Sequence, residues 1–400
     1  MNFQFSRDDE AFRDEVRAFA RERLPASIAL DVKRWHDPLM KNFRAWQRIL
    51  SEKGWGAPHW PKQHGGSDWS PMRKHIFMQE MYAAGAPDFG WQGLHMLAPV
   101  LIAFGSKAQQ DRFLPPMLNG DEVWCQGFSE PGAGSDLAHL KTAAVLDGDS
   151  YLINGQKIWT SDARDSDWGF FLCRTDPTVK PQRGLSFLLV PLSSAGLTIR
   201  PIRELNGRTD LNEVFLDNVR VPREHLVGEP GMGWTYAKYL LEKERTTSAF
   251  VYFNRRELEK TKAIARQIRV GTGRLLDTAE FALKLARVEA DLMALEWSVL
   301  RILAGEKNKY NLDAVVSALK IRGSEMQQRV TDLQLDALGP LGVRHFQHGD
   351  PDLDDPARAP SWPDYAIGPA ALFLHTRAAT IYGGAREVQK NIIAKLAFGV

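Results

Sequence analysis

Trp124-Cys125-Gln126-Gly127-Phe128-Ser129-Glu130-Pro131-Gly132-Ala133-Gly134-Ser135-Asp136 is the stretch on which the reading of the chain turns. It holds three glycines and two serines where helical periodicity gives way to strand-like sequence. Glycines let a ligand come close to the backbone, and exposed amides and hydroxyls there can bind carbonyl or phosphate oxygens. The spacing does not fit a dinucleotide-binding G-x-G-x-x-G fingerprint, and no βαβ unit surrounds it. A plain glycine-rich turn between domains suits the composition equally well.

Upstream of this stretch the pattern is helical. Ser6 with Asp9 three residues on reads as a capping box, and Phe12, Val16, Phe19 and Ala20 then recur at helical spacing. Further helices are expected over Phe43–Glu52, Pro71–Ala83 and Lys107–Asn119. Downstream, from Val123 to about Val221, β-branched and aromatic residues rise. Asp147-Gly148 and Asn154-Gly155 read as hairpin turns, and Gly184–Leu192, Leu197–Ile202 and Glu213–Val221 as strands. After Gly233 the helical period returns. Phe281, Leu285, Val288, Leu292, Leu295, Val299 and Ile302 step by three and four, which suits a helix bundle. Val316 to Leu333 implies a second long helix, and Arg386 to Ala397 a last one with Val388, Ile392 and Leu396 on one face. Phe346 to Pro369, rich in Pro and Asp, is too long for a plain connection. The expected fold class is α+β: an N-terminal α-helical domain (1–121), a middle β-barrel domain (122–232) and a C-terminal four-helix bundle (233–400).

Composition excludes several classes. Lys plus Arg is 51 against 49 for Asp plus Glu, a net charge of +2, with no basic block. That gives no support for nucleic-acid binding. Two distant cysteines, Cys125 and Cys173, exclude a disulfide scaffold and a cysteine-based zinc site. The ten histidines form no His-Glu-x-x-His pattern, so no metal is expected, and they read as satisfied or surface side chains. No apolar run reaches the ~20 residues a membrane helix needs. The polar start at Met1 to Glu10 does not read as a signal peptide, and a cytoplasmic protein is expected.

A second constellation is Gln156-Lys157-Ile158-Trp159-Thr160-Ser161. A Trp followed by two hydroxyl residues at a strand end suits stacking on a planar ring and donating to it. A core Trp before an ordinary turn fits as well. Read with Glu130–Asp136, with Asn212-Glu-Val-Phe-Leu-Asp-Asn-Val-Arg-Val-Pro222, and with Ile381-Tyr-Gly-Gly384 followed by Val388-Gln-Lys-Asn-Ile-Ile-Ala394, the chain resembles the acyl-CoA dehydrogenase family over nearly its whole length. The all-α, β, all-α order read above is that family's order.

The resemblance implies FAD as cofactor and α,β-desaturation of an acyl-CoA to a trans-2-enoyl-CoA, in fatty acid or steroid side-chain β-oxidation. By position it assigns Gln126, Phe128 and Ser129 to the flavin pyrimidine edge. It assigns Trp159, Thr160 and Ser161 to the stretch packed on the flavin near N5. Ser135 falls by the thioester and pantetheine, and Gly134 and Glu387 also fall among the cofactor-binding residues. The implied donors to the thioester carbonyl are a flavin ribityl hydroxyl and a backbone amide.

The α-proton needs a carboxylate base. Many relatives carry a Glu between Tyr and Gly of the motif here written Tyr382-Gly383-Gly384, and Gly383 accepts no proton. A minority carry it earlier, and Glu244-Arg245 matches that register, with Glu242 as the second choice. As residues alone, Glu242 to Arg245 also suit a solvated helix face.

An Arg-x-x-Phe-Gly contact to the FAD pyrophosphate, usual in the family, is missing around Asn254 to Gly273, and Asp336-Ala-Leu-Gly-Pro340 departs from the usual Gln-x-x-Gly-Gly. Both traits resemble large subunits of pimeloyl-CoA-type and steroid side-chain dehydrogenases. The expected partners are therefore a small subunit in an α2β2 assembly, or a homo-oligomer, with an electron-transfer flavoprotein as acceptor. An oxygen-reactive oxidase or monooxygenase of the same fold, and a scaffold subunit, are the competing readings. The acyl group is not readable from the sequence.

Overall fold

The computed structural model describes residues 5–34, 39–87, 90–243, 249–305, 311–346, 350, 352 and 362–399. Helix α1 (Arg7–Arg23) starts where the capping pattern places it: Ser6 Oγ accepts from the Asp9 amide at 3.1 Å. Asp8, Asp9 and Glu10 in its first turn and Arg21 and Arg23 in its last complement the helix dipole. Phe12, Val16, Phe19 and Ala20 are buried. With Trp46, Trp55 and Phe77 they form one core cluster, each large side chain contributing about 1.5–3 kcal/mol by its burial. α2 (Ala26–Arg34), α3 (Leu39–Glu52), α4 (Pro71–Ala84), α5 (Ala98–Phe104) and α6 (Lys107–Asn119) complete the region. A π-helical turn, Trp91–Leu97, leads into α5. α3 begins four residues before the expected Phe43. Leu39 and Met40 stand four and three residues before Phe43, a spacing that extends the apolar periodicity by one turn.

The middle region is one seven-stranded half-barrel. β1 (Trp124–Gly127) lies parallel to β4 (Trp168–Arg174), which pairs antiparallel with β5 (Leu185–Pro191). β4 touches β2 (Ala143–Asp147), and the order continues through β3 (Ser150–Lys157), β7 (Asn212–Pro222) and β6 (Leu197–Pro201). Asp147 pairs with Ser150, so the hairpin at Asp147-Gly148 forms as expected. Asn154-Gly155 does not turn. It lies inside β3, at a register shift against β7. Asn154 exchanges hydrogen bonds with Asn218 across the ladder, and a Cβ on Gly155 would come within 2.8 Å of Thr142. The dipeptide thus serves a bulge and a close approach, which local composition does not separate from a hairpin.

The C-terminal region holds α7 (Gly233–Lys243), α8 (Val251–Gln267), a two-stranded β8–β9 hairpin (Arg269–Val270 and Gly273–Arg274), α9 (Ala279–Leu303), α10 (Leu312–Leu338), α11 (Pro369–Thr376) and α12 (Arg386–Ile393). The heptad-like stripe of α9 is buried from Phe281 to Val299. α10 packs against α8, α9, α11 and α12. Leu396 of the expected last face is exposed, because the helix opens into a π-turn at Ala394–Phe398. Among the described residues no helix is long and apolar enough to cross a membrane.

Candidate active site

Three of the quoted motifs meet at one corner of the sheet. β1 delivers Gln126 and leads into the Gly-rich loop, and β3 ends in Lys157 and leads into Trp159 to Ser161. The two loops are stitched by the Ile158 amide donating to the Ser129 carbonyl at 2.9 Å. The third motif begins with the buried Asn212. Its carbonyl accepts from the Thr160 amide at 3.0 Å, and its Nδ2 donates to the Thr160 carbonyl at 3.0 Å.

Beneath this corner runs a buried charge pair. Lys157, 0 % exposed, donates to Glu130 Oε1 at 2.8 Å, to the Leu172 carbonyl at 2.7 Å and to the Phe128 carbonyl at 3.2 Å. All three ammonium protons are thereby used. Glu130 also accepts from the amides of Lys141 at 2.6 Å and Thr142 at 2.8 Å. Burial works to raise the Glu130 carboxyl, but the Lys157 charge and these hydrogen bonds outweigh it and hold it below its ordinary value. Glu130 is therefore a fixed anion that pins the loop. Neither residue's role was legible in the motif strings, although both stand in them. A buried Lys at a strand end and a Glu in a loop 27 residues earlier pair only in three dimensions.

Trp159 stands at φ +60° with 54 % of its surface exposed. A bulky residue in the left-handed region carries strain that the surroundings must impose, and such positions cluster at functional sites. Here the Ile158 and Thr160 anchors on either side impose it, and an indole face is left open. Thr160 Oγ1 is buried with no hydrogen-bond partner among the described residues, and Ser161 beside it is half-buried. A Cβ added to Gly132 or Gly134 would meet nothing within 4 Å, so the loop faces open space. Ser129 is half-buried, and Ser135 is exposed. An exposed ring, unpaired hydroxyls and an open Gly-rich backbone suit a planar heterocycle with polar edges.

Other expected residues fall differently. The Phe128 ring is buried edge-on against Phe170 and Phe187, so only its backbone is available to a ligand. Glu387 is exposed in the first turn of α12, ion-paired to Arg386, among the described residues with no link to the sheet corner. Gly383 lies in the turn before α12 at φ +63°, and its nearest neighbour would be Lys320 Cε at 4.0 Å. The expected base Glu244 and its neighbour Arg245 lie outside the described residues. Glu242 falls in the last turn of α7. Among the described residues no group of His, Cys, Asp and Glu could hold a metal ion. Cys125 and Cys173 are both free and buried.

A three-part helix–sheet–helix chain with an open, hydroxyl-lined corner defines the class, and comparison with known proteins sharpens it. Residues 6–121 match the acyl-CoA dehydrogenase N-terminal domain, 125–219 the middle domain and 231–398 the C-terminal domain. The chain is 37% identical over 403 residues to acyl-CoA dehydrogenase IpdE1 of Mycobacterium tuberculosis, covering 98% of each. Among solved structures it is similar to the Tcur3481-Tcur3483 steroid ACAD, with TM-score 0.85, 29% identity and coverage of 100% and 99%. It is also similar to the ChsE4-ChsE5 complex from Mycobacterium tuberculosis, with TM-score 0.83, 29% identity and the same coverage. The protein belongs to the acyl-CoA dehydrogenase family and is an oxidoreductase of that class.

Proposed function

We propose that this chain is the catalytic subunit of an FAD-dependent dehydrogenase that forms a trans-2,3 double bond in a bulky, steroid-type acyl-CoA. The observation that carries the reading is the convergence of Ser129, Trp159, Thr160 and Asn212 at one corner, with the Trp159 indole open and the Thr160 hydroxyl unpartnered. Ser129, Thr160 and Ser161 are the hydroxyls suited to the polar edge of an isoalloxazine, and Trp159 is the ring suited to its face. When bound there, FAD supplies the acceptor for the β-hydride.

The chain's own part is proton removal and exclusion of water. The α-proton passes to the Glu244 carboxylate. Gly383 leaves the position that many relatives fill with a Glu side chain, which is compatible with a wide acyl group. The Tyr236, Ala237 and Leu240 face of α7 packs in the same apolar core as Phe128, so the helix that precedes Glu244 in the sequence borders a dry region. Such a setting raises a carboxylate toward useful basicity.

The reading includes a partner subunit, and an electron-transfer flavoprotein as acceptor. Leu283, Met293 and Trp297 lie exposed on the outer side of α9, and Phe398 is 74% exposed at the chain's end. Patches of this kind are commonly covered in assemblies. The two solved relatives named above, Tcur3481-Tcur3483 and the ChsE4-ChsE5 complex, each pair two named proteins.

The test is anaerobic mixing of the FAD-loaded enzyme with steroid side-chain CoA thioesters. Bleaching of the flavin is expected, with Glu244→Gln lowering its rate by about 10²–10⁴-fold. Undiminished bleaching in Glu244→Gln would remove the base assignment. One tightly held FAD per chain without any partner would remove the partner.

A further inference from the structure

The π-turn Trp91–Leu97 is wedged between β1 and α7. Gly93 abuts Trp124 of β1 and Met117 of α6, where an added Cβ would lie 3.3–3.4 Å away. Leu94 and Leu97 are buried in the same core as Phe128 and Leu240. The turn thus touches both the strand that leads to Ser129 and the helix that leads to Glu244. π-turns interrupt regular helices and are frequent at functional sites.

His95, on this turn, stacks on His59, with ring centroids 4.3 Å apart and planes 18° from parallel. Both rings sit deep in the protein, yet each keeps part of its surface open. The Leu94 carbonyl accepts from Trp60 Nε1 at 2.9 Å and lies 2.9 Å from His59 Nε2. A carbonyl only accepts, so Nε2 carries the His59 proton and Nδ1 carries a lone pair. That Nδ1 has no hydrogen-bond partner among the described residues. Burial, with the Lys74 charge adding to it, lowers His59 to about 4, and burial with the His59 and Lys74 charges lowers His95 well below its ordinary value. Neutral stacked imidazoles with a bare acceptor suit a hydroxyl donor rather than a carboxylate.

We propose that His59, held by the His95 stack, is a specificity residue whose Nδ1 accepts a hydrogen bond from a hydroxyl on the acyl portion of the CoA thioester. This rests on the dehydrogenase reading and deepens it. An all-hydrocarbon acyl group would desolvate Nδ1 and leave it unpaired. A site built to bond a hydroxyl discriminates strongly against the analogue that lacks it.

The experiment compares kcat/KM of the FAD-loaded enzyme, with its partner if it needs one, on 3-cyclohexylpropanoyl-CoA and on its ring-hydroxylated positional isomers. At least one hydroxylated isomer is expected to be preferred by about tenfold or more. His59→Phe should erase that preference, read as the ratio of kcat/KM for the hydroxylated and unhydroxylated thioesters, and His59→Asn, which keeps a polar atom near Nδ1, should restore part of it. Turnover without any hydroxyl preference, or a preference unchanged in His59→Phe, overturns the proposal alone. Absence of turnover on every thioester overturns the dehydrogenase reading with it. Should His59→Phe fail to fold, the His59 ¹⁵Nδ1 shift of the wild type decides. Movement on adding a non-reactive hydroxylated CoA thioether, but not its deoxy counterpart, supports the role, and equal response to both overturns it.

Discussion

Lys157 and Lys320 are both almost fully buried, one under the sheet corner and one under the Gly383 turn, but they are held in opposite ways. Lys157 bonds a carboxylate and two carbonyls. Lys320 bonds the Ala379 carbonyl at 3.0 Å and lies 5.9 Å from the Tyr382 ring, with no carboxylate bonded to it among the described residues. The first charge is fully compensated inside the chain, so the corner that presents Trp159 is rigid by construction. The second is not, and burial lowers it to about 8. The residues around it, Ile381 and Tyr382, are exposed. The corner is held entirely within the chain, whereas the Gly383 turn sits over a buried cation without a bonded carboxylate among the described residues.

The contrast can be broken by substitution. Lys157→Met leaves Glu130 buried without its counter-charge, and a loss of about 3–5 kcal/mol in denaturant unfolding is expected. A loss under ~1 kcal/mol would mean the corner is not pinned by this pair. Acid probes the same feature. Because the folded-state value of Glu130 lies below the unfolded one, its contribution is present above the unfolded value and is lost as pH falls through the folded one. Glu130→Gln should flatten that acid-side decline.

Gly383→Glu should cost about 1–2 kcal/mol, since a side chain is forced into the left-handed region at φ +63°. It should not restore turnover to Glu244→Gln; restored turnover would show that a carboxylate carried by this turn also reaches the α-proton. At the corner, Trp159→Gly relieves backbone strain, so thermal stability of the cofactor-free chain should move by less than about 1 kcal/mol. FAD retention should fall roughly tenfold, measured by equilibrium dialysis, as the stacking face is lost.

The smallest effect is expected at Lys320. Its folded-state value lies below that of the free side chain, so the charged form is disfavoured in the fold. Stability attributable to this group should rise as pH climbs from about 8 toward the ordinary lysine range. Lys320→Met should lack that rise, and an identical slope in both proteins would remove the contrast with Lys157.

Much of this molecule was readable before folding was considered. The Ser6 cap, the α9 stripe and the strands β5 to β7 follow from local periodicity, which depends only on neighbours along the chain. The motifs that identify the site were likewise visible, because each is contiguous. Asn154-Gly155 misled because a bulge and a hairpin share the same dipeptide. His95 went unnoticed because nothing in its local sequence distinguishes it. What only the tertiary structure decided is which side chains face each other: Lys157 with Glu130, Asn212 with Thr160, His59 with His95. Each pairing joins residues 27 to 52 positions apart in the chain. The sequence alone determined the class of chemistry, since that is written in contiguous motifs. The tertiary structure decided which polar groups are spent on holding the site and which remain open to a ligand, because burial and hydrogen bonding are properties of the packed chain.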